Sequence, residues 1–197
     1  ARALWGNKLP DGDPAQLVRE LYAAENAGKD EPSGSQDMIG LVYPGVNRLD
    51  YDAEHEGGIF PCRIESHCDP ETCAWLEQVV NVIAVAPRPP GYNPLEEKSI
   101  DPAWVERLGR SGRDCYDAIL ARDVGALGAA ANECMRAWGA LLPGTVRHRT
   151  ITLDLLGILA HYQSRYPGAM YSGCGGGYLF VFSEDPVPGA FHVDVRC

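Results

Sequence analysis

The stretch Tyr171-Ser172-Gly173-Cys174-Gly175-Gly176-Gly177-Tyr178 places four glycines in five positions, ahead of the apolar run Leu179-Phe180-Val181-Phe182. Glycine loses more backbone entropy on ordering than any other residue. Such a cluster excludes a helix and marks a loop that needs left-handed backbone or a close approach to a ligand. Successive N–H groups in such a loop form a concavity for anions, phosphate above all. Here the loop precedes its strand, the reverse of the order in dinucleotide and P-loop sites, and no Gly-Lys-Ser/Thr follows. The plainer alternative is a tight turn between a helix and a strand, which one or two glycines would satisfy. Cys174 adds a third reading, a nucleophile in acyl or phosphoryl transfer, although no histidine stands near it in the chain to activate it.

A second candidate is Asp37, in Ser33-Gly34-Ser35-Gln36-Asp37-Met38-Ile39-Gly40-Leu41-Val42-Tyr43. Ser33 or Ser35 can cap a short helix that Pro44-Gly45 stops, and Asp37 falls in its first turn, where the helix dipole favours a carboxylate. An aspartate fixed there can orient a hydroxyl or take its proton. Acidic residues are also common at helix starts for structural reasons alone. Arg88 and Tyr92, in the break Pro87-Arg88-Pro89-Pro90-Gly91-Tyr92-Asn93-Pro94, are accessible-loop residues suited to touching a ligand. Cys62, His67, Cys68 and Cys73 could in principle hold zinc, but their spacings are not those of zinc knuckles and no second pair completes them, so small thiols are the expectation.

The elements that must carry these groups follow from caps and periodicity. Asp13 caps a helix to about Ala27, with Pro14 at its first position, Gln16 at the capping-box position and Leu17, Leu21 and Ala24 on one stripe. Strands are expected over Val46–Tyr51 and Gly58–Ile64, a short helix over Pro70–Leu76, and a buried central strand over Gln78–Ala86. Helices then start at Asp101 and Asp123, with Trp104 and Trp138 in core positions, and a third runs from about Thr150 to Arg165. The strand after the glycine loop and a last one over Ala190–Val195 complete an α+β pattern. The Pro87–Pro94 break is the expected domain boundary, giving segments 1–94 and 95–197.

The 197 residues carry 45% hydrophobic and 22% charged residues, as in an ordinary globular chain. A net charge of −10 argues against a nucleic-acid surface and against anionic membranes. No apolar run reaches the ~18–20 residues of a spanning helix. Ala1-Arg2-Ala3-Leu4-Trp5 carries no leader pattern, so a cytoplasmic chain with its seven cysteines reduced is expected. The first residues read as the last turn of a helix, and the chain is expected to be part of a longer protein. Composition leaves the oligomeric state open.

Two stretches together resemble the GHMP small-molecule kinases, and within them the sugar-kinase branch of heptose kinases and fucokinases. Ser172, Gly173, Gly175, Gly176 and Gly177 match the family's C-terminal S-G-A-G-G-G-G-[FY] motif, with Cys174 where a small residue is usual. Gln36 and Asp37 match the sugar branch's G-G-x-Q-D-Q segment, with Met38 where the second Gln is usual and Ser33 where the first Gly is. The resemblance implies the remainder of an N-terminal, ribosomal S5-like domain followed by a ferredoxin-like C-terminal domain. It implies transfer of phosphate from ATP, with Mg²⁺, to a sugar hydroxyl held by Asp37. Ser35, Gln36 and Tyr92 would then bind the substrate, and Ser172 to Gly177 would form the phosphate loop. The family's P-x-x-x-G-L-G-S-S-A motif does not occur in these residues, so most ATP and Mg²⁺ contacts are expected from elsewhere. The alternative is a non-catalytic module of the same fold that binds a sugar or regulates.

Overall fold

The computed structural model describes residues 6, 8–30, 32–173 and 175–197. The chain divides into two compact units. The first holds residues 1–69 and 196–197, and the second holds residues 70–195.

In the first unit, α1 (Pro14–Asn26) starts where Asp13 takes the backbone N–H groups of Ala15 and Gln16 at 3.4 and 3.3 Å. Gln16 does not close the capping box; its amide reaches forward to Glu20 instead, at 3.3 Å. The apolar stripe of α1 meets the short helix α2 (Gln36–Val42), and Leu17, Val18, Leu21, Met38, Ile39 and Val42 form one buried cluster. Leu49 and Ile64 pack on it from the antiparallel pair β1 (Val46–Asp50) and β2 (Arg63–His67), and Phe60 from the segment between the two strands. β2 begins later than its sequence suggests, because Gly57 and Gly58 have φ near +65° and +74° and turn the chain before it extends. Cys68 is disulfide-bonded to Cys197, 129 residues away. This corrects the expectation of reduced thiols at that pair. Local spacing signals a disulfide only between cysteines that the fold brings together, and these two are far apart in sequence.

The second unit is a four-stranded antiparallel sheet with helices. After α3 (Pro70–Val79) comes β3 (Val80–Ala84), then α4 (Pro102–Ala121), α5 (Val124–Leu141) and α6 (Leu155–Gln163), and finally β4 (Gly168–Tyr171), β5 (Tyr178–Phe182) and the two-residue β6 (Phe191–His192). The strand order is β4-β5-β3-β6. β3 is therefore interior, as its continuous apolar run predicts, and it binds β5 and β6 on its two sides. Those hydrogen bonds draw residues 80–84 into the second unit, so the compact units divide after residue 69 and not within Pro87–Pro94. Asp101 and Asp123 cap α4 and α5 with their carboxylates. The third helix starts at Leu155 rather than near Thr150, since Asp154 is the better cap and takes the Gly157 N–H at 2.9 Å. Tyr171, Leu179 and Val181 are fully buried between the sheet and α5 and α6, with Met135, Leu155 and Leu159. Tyr171 donates its hydroxyl to the Leu155 carbonyl at 2.6 Å, as a buried phenol must find a partner. Trp138 packs against this core, whereas Trp104 is half-buried under the Arg107 guanidinium at 4.2 Å. No described helix is long and apolar enough to cross a membrane.

Candidate functional site

The glycine loop is the tip of a β-hairpin. Residues 172–177 join β4 to β5, and the Ser172 N–H closes the tip on the Tyr178 carbonyl at 2.9 Å. Gly168–Tyr171 escaped the sequence reading because Gly-Ala-Met-Tyr carries little strand signal. Gly173, Gly175 and Gly176 have φ of +58°, +86° and +81°, the left-handed backbone that the glycine cluster predicts. At Gly175 two constraints coincide: besides its φ, a Cβ there would collide with the backbone carbonyl of Thr145. Ile151 lies under Gly176, where a Cβ would sit 3.4 Å from its side chain. On the other side the Val85 N–H is bonded to the Gly177 carbonyl at 3.0 Å, which ties the tip to the end of β3. Cys174, the proposed nucleophile, lies outside the described residues.

Beside the loop is a cleft of about 690 Å³ lined by Ala84, Val85, Pro87, Arg88, Ser172 and Tyr178 among others. Arg88 donates its Nε–H to the Gly175 carbonyl at 2.9 Å and lies over the Tyr92 ring, 5.7 Å from its centroid. A guanidinium has five donors, so one bond to the loop leaves it able to engage an anion as well. Tyr92 donates to the Gly144 carbonyl at 3.2 Å and meets the His148 ring edge-on at 4.9 Å. It therefore braces the 143–145 turn whose Thr145 backbone lies against Gly175. The structure thus brings Arg88, Tyr92, Ser172, Gly173, Gly175, Gly176 and Gly177 together in the second unit.

Asp37, Gln36 and Ser35 belong to the first unit. Asp37 and Gln36 are exposed on the first turn of α2, and the Gln36 amide folds back over Gly34. Ser35 occupies the capping position but makes no side-chain cap. It is fully buried, and its hydroxyl donates to the Ile59 carbonyl at 2.6 Å and lies 2.9 Å from the Tyr51 hydroxyl. A serine hydroxyl has one hydrogen. Since that hydrogen goes to Ile59, Tyr51 donates to Ser35 and keeps lone pairs of its own for another donor. Burial pushes the Tyr51 phenol above its ordinary pKa; the Ser35 bond opposes this and the Asp37 carboxylate adds to it. Tyr51 is therefore a neighbour of Asp37 that the sequence does not announce, since a tyrosine at a strand end looks like any other. Among the described residues no three His, Cys, Asp or Glu side chains group to hold a metal, and Cys68 of the Cys62–Cys73 stretch is committed to its disulfide.

No family model matches this chain, and no curated protein does. Solved structures do, among them several described as kinases. A D-glycero-D-manno-heptose 1-phosphate kinase from Bacteroides thetaiotaomicron superposes with a TM-score of 0.57 at 14% identity, covering 95% of this chain and 53% of that one. A Campylobacter jejuni protein provisionally described as a sugar kinase gives 0.54 at 16%, covering 92% and 48%. The Methanococcus jannaschii mevalonate kinase gives 0.52 at 12%, covering 92% and 51%. The chain thus has the mixed α+β fold of part of these kinases and spans about half their length.

Proposed function

We propose that this chain is part of a GHMP-type kinase that transfers the γ-phosphoryl group of ATP to a hydroxyl of a sugar or sugar phosphate. The observation that carries the reading is the glycine hairpin: left-handed glycines at a tip packed on Thr145, with Arg88 beside them along an open cleft. That backbone type is suited to phosphate oxygens, and it sits in the fold of kinases. The strand order β6-β3-β5-β4, with helices between the first and second strands in sequence, supports a ferredoxin-like arrangement for the second unit. The first unit is the S5-like remainder in this reading.

In the proposed reaction Asp37 holds the acceptor hydroxyl and receives its proton as the new O–P bond forms and the bond to ADP breaks. Loop N–H groups and Arg88 counter the charge on the phosphates, which is where most of the catalysis of such a transfer arises. Gln36 contributes a hydrogen bond to the sugar. Ser35 and Tyr92, expected from the sequence to touch substrate, act instead through Tyr51 and through the Thr145 turn. The test is an ADP-release assay with hexoses and heptose phosphates on the protein isolated from its native source, comparing wild type with Asp37→Asn. A drop of about 100-fold or more in kcat with unchanged circular dichroism supports the reading. Near-full activity in Asp37→Asn removes Asp37 from the mechanism. Sugar binding by calorimetry without turnover selects the non-catalytic alternative.

A further inference from the structure

The chain leaves the first unit after Asp69 and returns to it at Arg196, and a disulfide joins Cys68 to Cys197, next to both crossings. Its Cα atoms are 5.4 Å apart, within the usual span of a bridge, and both cysteines are exposed. Between them the disulfide and Arg196 hold residues 196–197 against the end of α2. Arg196 Nη2 donates to the Leu41 and Val42 carbonyls at 3.1 and 2.9 Å, two of the acceptors that a helix end leaves without intrahelical partners. The Arg196 carbonyl accepts the Gly45 N–H at 2.6 Å. Gly45 has φ +67°, and a Cβ there would run into the His67 carbonyl, so the turn after α2, the end of β2 and residue 196 form one contact. Two exposed residues held by hydrogen bonds alone open readily. The covalent link keeps them at high effective concentration.

We infer that the Cys68–Cys197 disulfide is a thiol-responsive clasp that fixes residues 196–197 on the C-terminal end of α2, the helix that carries Asp37 at its other end. Opening it needs a dithiol reductant. One thiolate of the reductant attacks a bridge sulfur and breaks the S–S bond, and the departing sulfur takes a proton. The second thiolate of the reductant then resolves the mixed disulfide, leaving two protein thiols and an oxidised reductant. Arg196 is thereby released from the Leu41 and Val42 carbonyls. The consequence for Asp37 rests on the kinase reading; the clasp itself does not.

Hydrogen exchange on the full chain, with and without dithiothreitol, tests the clasp after peptide mapping of the unreduced protein. Mapping is expected to return the Cys68 and Cys197 peptides linked. Reduction is expected to accelerate exchange at Gly45 and the end of α2 by roughly tenfold or more, while α4 and α5 stay unchanged. Cys68→Ser and Cys197→Ser should exchange like the reduced wild type and ignore dithiothreitol. Unlinked peptides, or Gly45 exchange that reduction does not change, overturn the inference. Neither readout uses turnover, so loss of the kinase reading would leave this result standing, and the reverse holds as well.

Discussion

Gly175 is enclosed by the Thr145 backbone and tied by Arg88, whereas Asp37 stands exposed on the first turn of a seven-residue helix. The loop is specified by backbone: a side chain added at Gly175 meets the fixed Thr145 carbonyl, and Gly173 and Gly176 share its left-handed φ. The aspartate is specified by a side chain, and its support lies one residue away in buried Ser35. Damage to the loop should therefore appear first as lost structure, and damage at Asp37 as lost chemistry with the structure kept.

Asp37→Asn is the sharpest test of that contrast. It should cost about 100-fold or more in kcat, while urea unfolding moves by less than about 0.5 kcal/mol. Gly175→Ala should reverse the pattern, losing about 2 kcal/mol of stability in the same urea titration from its left-handed φ and the Thr145 collision. An unchanged unfolding midpoint would show that the tip is not fixed by backbone. Ser35→Ala should lose about 1–2 kcal/mol, because the Ile59 carbonyl and the Tyr51 hydroxyl both lose their partner. Tyr51→Phe should raise KM for the sugar about fivefold with kcat nearly constant, the effect of one lost hydrogen bond. Gly177→Ala closes the series with a shift under about 0.5 kcal/mol, since nothing lies within 4 Å of its Cβ position and its φ is not left-handed. If Gly177→Ala proved as damaging as Gly175→Ala, glycine content rather than the Thr145 contact would govern the loop.

The parts of the molecule written in local chemistry were legible in the sequence. Asp13, Asp101 and Asp123 announced their helices, and the Gln78–Ala86 run announced an interior strand, which residues 80–84 form. The glycine cluster announced left-handed backbone, and three of its glycines have it. What stayed hidden depends on partners distant in the chain. Ser35 looked like a cap or a ligand, but its hydroxyl goes to Ile59 and Tyr51, 24 and 16 residues away. The Tyr92 hydroxyl donates to the Gly144 carbonyl, 52 residues away. The Cys68–Cys197 bridge spans 129 residues, and no spacing rule reaches that far. Even the unit boundary was a question of partners, since Pro and Gly mark a flexible stretch but not which strand the preceding residues will join.

Because the glycine loop is a hairpin tip, its length is set by the sheet. On one side Tyr171 pairs with Leu179 and the Ser172 N–H closes on Tyr178; on the other, Ala84 pairs with Tyr178 and the Val85 N–H closes on Gly177. One extra residue between Ser172 and Gly177 would have to slide β5 by one position, turning buried Leu179 and Val181 to the opposite face, or swell the tip where the Thr145 backbone already lies. The turn over residues 52–58 is held by local hydrogen bonds and the exposed Arg19–Glu56 pair. Insertions and deletions among natural variants should therefore collect in residues 52–58 and be excluded from 172–177, where the sheet acts as a ruler for the chain.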